Sequence, residues 1–94
     1  MQPANSPDEN LRSLTEGIAR RVADEKRPAH ALRSVVSMID NDEAELAVDD
    51  LARAIEYYRV PILRAEYDQL LEVATRLDSL DSLRETDIAQ FVRE

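Results

Sequence analysis

Between Leu11 and Leu77, apolar side chains return every three or four residues in four successive stripes. That spacing lays each stripe along one face of a helix, whereas a half-buried strand needs alternation. The first stripe is Leu11, Leu14, Ile18 and Val22, and the second Leu32, Val35, Val36 and Ile39. The third is Ala44, Val48, Leu51, Ile55 and Tyr58, and the fourth Tyr67, Leu70, Leu71, Ala74 and Leu77.

The residues between the stripes mark helix ends. Ser6, Pro7, Asp8 and Glu9 combine a capping hydroxyl, a proline at the first helical position, acids in the first turn and a carboxylate placed for a capping box. Arg20, Arg21, Lys26 and Arg27 suit the negative end of the first helix dipole, so that helix is expected to run to about Lys26. Pro28 disfavours helical geometry at Arg27 and is expected to restart the chain as a short second helix. The tetrad Asp40-Asn41-Asp42-Glu43 should end that helix and cap a third, which reaches about Arg59. Val60-Pro61-Ile62 reads as a turn, with a fourth helix starting near Arg64. Ser82 and Glu85 at capping-box spacing, with Ile88, Phe91 and Val92, suggest a final short helix, although Leu80 and Leu83 also suit a kinked extension of the fourth. No strand pattern of useful length and no internal repeat is present. The expectation is an all-α, compact antiparallel bundle of four to five short helices, one domain over residues 6–94, preceded by a flexible polar tail over residues 1–5.

Two absences narrow the function. One glycine and no cysteine in 94 residues leave no Gly-rich phosphate loop, thiol nucleophile, disulfide or cysteine-based zinc site. No apolar run approaches the ~18 residues of a membrane span, and residues 1–10 lack the charged-then-apolar pattern of a secretion signal, so a cytoplasmic protein with no membrane partner is expected. His30 stands alone beside Pro28, with no Ser or Cys arranged around it, and reads as a surface residue. Asp40, Asp42 and Glu43 imitate a calcium loop only in part, since Glu45 and Leu51 occupy the positions that require Gly and Glu. Asp49 and Asp50 point about 100° apart on a helix and make no acid/base pair. Arg59, Arg64 and Arg76 read as helix-end and salt-bridge residues. The chain is therefore expected not to be an enzyme and to carry no catalytic, cofactor-binding or metal site.

The net charge of −8 is unevenly spread. Residues 1–37 hold five acids and six bases; the remaining 57 hold fifteen acids against six arginines, with six acids and no base between Asp40 and Asp50. A phosphate backbone selects the opposite sign, so nucleic acid is not the expected partner and a basic protein is. At about 100° per residue, Asp42, Glu45, Asp49 and Glu56 fall opposite the core stripe of the third helix, and Glu43, Leu46, Asp50 and Tyr57 form a flank beside them. An aliphatic and an aromatic side chain that the core does not claim, set among acids, have the composition of a docking surface. Solvated acidic faces have much the same look, and Tyr57 packed on the fourth helix would remove the anchor.

The string Asp42-Glu43-Ala44-Glu45-Leu46-Ala47-Val48-Asp49-Asp50-Leu51, then Tyr57-Tyr58-Arg59-Val60-Pro61-Ile62, then Glu66-Tyr67-Asp68-Gln69-Leu70-Leu71, resembles the MafI-like bacterial immunity proteins. The similarity spans about half the chain. Leu63 stands where the family pattern offers a Ser or Thr cap, and the first helix has no counterpart. The resemblance implies a small helical protein that neutralises a cognate polymorphic or contact-dependent toxin, many of which are nucleases with basic active sites. On that reading Leu46 and Tyr57 are the anchors, and Asp40, Asp42, Glu43, Glu45, Asp49, Asp50 and Glu56 steer association. A regulatory adaptor that binds a transcription or signalling protein through the same face is the alternative. A third is a homodimer in which the apolar faces of the first two helices complete each other's cores; monomer or weak dimer is the expected state.

Overall fold

The computed structural model describes residues 6–93, so the tail expected over residues 1–5 lies outside the described residues. Helix α1 (Pro7–Arg21) starts on its predicted capping box: Ser6 Oγ accepts the Glu9 N–H at 3.1 Å, and the Glu9 carboxylate accepts the Ser6 N–H at 3.1 Å. It ends at Arg21, a turn earlier than the charge pattern suggests. Helix α2 (Lys26–Asp40) then begins two residues before Pro28. Pro28 is the third residue of α2, where a backbone N–H has no acceptor within the helix, so its missing donor costs nothing and Arg27 stays helical beside it. The second helix is thus as long as the first, at 15 residues each, and not short.

Helix α3 (Ala44–Tyr58) and helix α4 (Arg64–Arg76) follow, then α5 (Leu80–Arg84) and a 3₁₀ turn over Ile88–Phe91. The end of the chain is not a capping-box helix. Ser82 lies inside α5, and α5 is separate from α4.

Three helices end the same way. Past α2 the Glu43 N–H reaches Met38 O at 2.9 Å and the Asp42 N–H reaches Ile39 O at 3.0 Å; past α4 Ser79 N–H reaches Ala74 O at 2.7 Å and Asp78 N–H reaches Thr75 O at 3.2 Å; past α3 Val60 N–H reaches Ile55 O at 3.0 Å. This back-bonded ending needs one residue in the left-handed region, commonly glycine. Here the residues are Asp42 (φ 66°), Arg59 (φ 54°) and Asp78 (φ 56°). The tetrad before α3 therefore ends α2 but supplies no side-chain cap to α3, because Asp42 is committed to the turn and Asn41 Nδ2 donates to Ser37 O at 2.9 Å.

The short links fold the helices back on one another as an all-α antiparallel bundle. Helix α3 is its centre, touching α1, α2, α5 and the 3₁₀ turn. Its buried face is wider than the predicted stripe: Ala47, Ala52 and Ala54 are buried beside Ala44, Val48, Leu51 and Ile55. These three alanines lie outside the predicted stripe, yet their small side chains are what let several neighbours close on one helix. Tyr58, Tyr67, Leu71 and Leu77 are half-buried at the core margin, and Val73 is buried in α4 where no stripe placed it. Of the apolar stripes of α1 and α2, Leu11, Leu14, Ile18, Val22, Leu32, Val35 and Ile39 are buried within the same chain, whereas Val36 is half-buried and stands outside this core.

Val60 and Ile62 are buried, so the predicted turn is also a core segment. Ile62–Leu63 (β1) pairs in parallel with Val92–Arg93 (β2), an element too short for any sequence pattern to show. Glu66, the third residue of α4, accepts the Leu63 N–H at 2.8 Å, which is the half of a capping box that needs no Ser or Thr. Its carboxylate also takes both Arg21 amino groups, at 2.5 and 2.7 Å, while Arg21 Nη2 reaches Pro61 O at 3.0 Å. One arginine thereby ties the end of α1 to the turn and to α4, and the bond to Glu66 raises its pKa further.

Candidate functional site

Because α3 buries one broad arc against its neighbours, everything it shows to solvent lies on the opposite arc. Leu46 and Tyr57 both lie there, 59% and 79% exposed. Eleven residues separate them, which on a helix is about 20° of rotation and about 16 Å of rise. They stand almost in line along an open ridge. The Tyr57 ring does not pack on α4; it meets Tyr58 edge-on, with ring centres 4.8 Å apart.

The ridge has two unlike ends. At the start of α3, Leu46 borders a depression with Asp42, Glu43 and Glu45, completed by Asp8 from α1 and Leu77 from α4. Asp42, Glu43, Glu45 and Asp50 are exposed, and their carboxylates form no ion pair or hydrogen bond among the described residues. At the other end, Tyr57 borders a depression with Asp50, Glu56, Arg53 and Arg59. The Tyr57 end is thus of mixed sign, and the uniformly acidic end belongs to Leu46.

The structure also separates the acids that are free from those the fold uses. Asp40 closes α2, off the ridge, and accepts Arg12 Nε at 2.8 Å and Nη2 at 3.3 Å; that bond holds its carboxyl below the ordinary range. Asp49 accepts Arg53 Nε at 2.8 Å, which raises the arginine further. Glu56 accepts the Asp87 N–H at 3.2 Å and so pins the segment entering the 3₁₀ turn. Four of the seven predicted acids are thus unpaired among the described residues, beside the exposed Leu46 and Tyr57.

Two neighbours of the ridge escaped the sequence argument. Arg53 stands seven residues after Leu46, hence about 20° from it, and the same helical arithmetic would have found it had only charge sign not been sought. Asp8 reaches the Leu46 depression from 38 residues away, and only the packing of α1 on α3 brings it there.

The chemistry open to this surface is docking. Covering Leu46 from its present exposure gains about 1–2 kcal/mol, somewhat over half the value for full burial of a leucine, and Tyr57 offers a larger area with a hydroxyl at its tip. His30 is exposed on α2. Among the described residues no three His, Asp or Glu side chains converge to hold a metal, and no helix is long and apolar enough to cross a membrane. Comparison with protein-family models, curated proteins and solved structures gives no match.

Proposed function

We propose that this chain is a binding protein whose α3 ridge docks on a basic protein, and that the partner is a bacterial toxin domain held inactive by the contact. The observation that carries the reading is the alignment of Leu46 and Tyr57 on one open face of the bundle's central helix, bordered by unpaired carboxylates. A tyrosine exposed to that degree adds little to stability beyond its edge-on contact with Tyr58, and an aromatic with an aliphatic anchor is the usual energetic centre of an interface. The acids at the Leu46 end set the sign of the partner and speed its approach. Toxin neutralisation is the role implied by the MafI-like resemblance; the bundle would act in the cytoplasm by covering the toxin's working surface, with no catalytic step of its own.

The test is to capture the partner by co-purification with this chain at low and then high salt, and to titrate the chain into that purified partner, following binding by calorimetry and toxin activity in parallel. Saturable binding that abolishes activity, with an association rate that falls as salt rises, is the expected result. Absence of binding would overturn the reading, and a rate indifferent to salt would remove the electrostatic part of it.

A further inference from the structure

A second surface, lined by no residue of α3, has the opposite character. Where α1 and α2 lie against each other, Ala19, Ala23 and Val36 floor an open groove, and Arg20 and Arg33 stand on its two sides. Both arginines are exposed, and neither forms an ion pair among the described residues. Glu16, the one acid in the groove, is already bound to Arg12 at 3.0 Å. The result is a shallow apolar trough flanked by two available positive charges, on a chain whose net charge is −8. An apolar floor gives nothing to a phosphate backbone, which is held by charge alone. It suits an aliphatic side chain carried on an acidic helix.

The molecule itself presents such a helix. Leu46 projects from α3 with Glu43 and Glu45 beside it, unpaired. The groove and this end of the ridge share no residue, so one copy can offer its ridge while its own groove receives the next. We infer that a second copy of this chain docks its Leu46 ridge into the α1–α2 groove, with Glu43 and Glu45 facing Arg20 and Arg33, to form a head-to-tail assembly. Such a contact is heterologous and does not close on itself after two copies. At about 0.15 M salt the screening length is about 8 Å. That is well under the smallest dimension of the molecule, 23 Å, so charges far from the contact are largely screened and the groups that face each other across it set its sign. Patches this small make a weak, reversible contact, and self-assembly would cover the same ridge that is proposed above to meet a basic partner, holding it in reserve until the partner competes.

Sedimentation equilibrium near physiological salt tests this with wild-type protein and two variants. Arg20→Glu with Arg33→Glu destroys the groove and keeps the ridge; Leu46→Glu destroys the ridge and keeps the groove. All three positions are exposed, and thermal melts matching wild type establish that the fold is kept. The expected result is a wild-type average mass that climbs with concentration past that of a dimer, each variant alone a monomer of 10.7 kDa, and their equimolar mixture a dimer that grows no further. A wild-type mass independent of concentration, variants that associate like wild type, or a mixture that stays monomeric would each overturn the inference. The groove variant also separates this idea from the functional proposal, because it retains the ridge and should still bind the toxin domain.

Discussion

The two sides of helix α3 follow different rules. On the packed side every position is explained by its neighbours: Ala44, Ala47, Val48, Leu51, Ala52, Ala54 and Ile55 fill the centre of the bundle, and no buried side-chain polar atom of the described residues lacks a partner. Even the one buried polar residue of the core, Thr15, donates its hydroxyl to Leu11 O at 2.8 Å. The open side holds an exposed leucine, an exposed tyrosine that meets only the edge of Tyr58, and four carboxylates that pair with nothing among the described residues.

Breaking the packed side should have the largest effect. Leu51 is fully buried, so Leu51→Ala is expected to cost about 2–5 kcal/mol by leaving a cavity in the core. For a domain of this size that is a large share of the total. Chemical denaturation would show it as a midpoint drop with an unchanged slope, or as a chain that no longer folds.

The next effect is smaller and comes from an acid on the open side that the fold does use. Glu56→Ala removes the acceptor of the Asp87 N–H and is expected to cost about 1 kcal/mol. It should speed hydrogen exchange over the 3₁₀ turn and β2 while leaving α1 and α2 unchanged. Equal acceleration everywhere would mean that the C-terminal segment is no separate unit.

Arg59→Gly runs the other way. An arginine at φ 54° bears a left-handed penalty of about 1–2 kcal/mol that glycine avoids, and glycine's greater unfolded-state freedom offsets part of the gain, leaving about 0.5–1 kcal/mol of added stability. A melting point that falls would show that the Arg59 side chain makes a stabilising contribution of its own.

Tyr57→Ala and Leu46→Ala should each change stability by less than about 1 kcal/mol, since Leu46 stands largely in water and Tyr57 gives up only its edge-on contact with Tyr58. A loss like that of Leu51→Ala would erase the contrast between the two sides. The least effect is that of the Arg12–Asp40 pair, exposed at both ends. The Asp40 carboxyl titrates below its unfolded value, so its contribution is present above pH about 4 and fades as pH falls through the folded value. Asp40→Asn should flatten the acid limb of the stability curve slightly and leave neutral pH almost unchanged.

Much of this was readable from local chemistry. Ser6, Pro7 and Glu9 announce α1 because a capping box involves only neighbours in sequence, and the four stripes announce four helices because burial on a helix has a fixed period. What was not legible depends on partners far along the chain. Pro28 looked like a boundary because its rule concerns the preceding residue, while its fit within the first turn of α2 depends on where Lys26 begins. The buried alanines of α3, the pairing of Ile62 with Val92 and the bond from Arg12 to Asp40 arise only once helices meet. The anchors Leu46 and Tyr57 were visible because they break the period, whereas the division of the acids into free and occupied required the fold.

The most direct test of the docking account is the affinity of the Leu46→Ala, Tyr57→Ala double variant for the toxin domain, measured beside its melting temperature. The account predicts a variant that melts with wild type and binds at least about 100-fold more weakly, as the loss of two interface anchors requires. A folded variant that binds within about threefold of wild type, a difference under 1 kcal/mol, would contradict it.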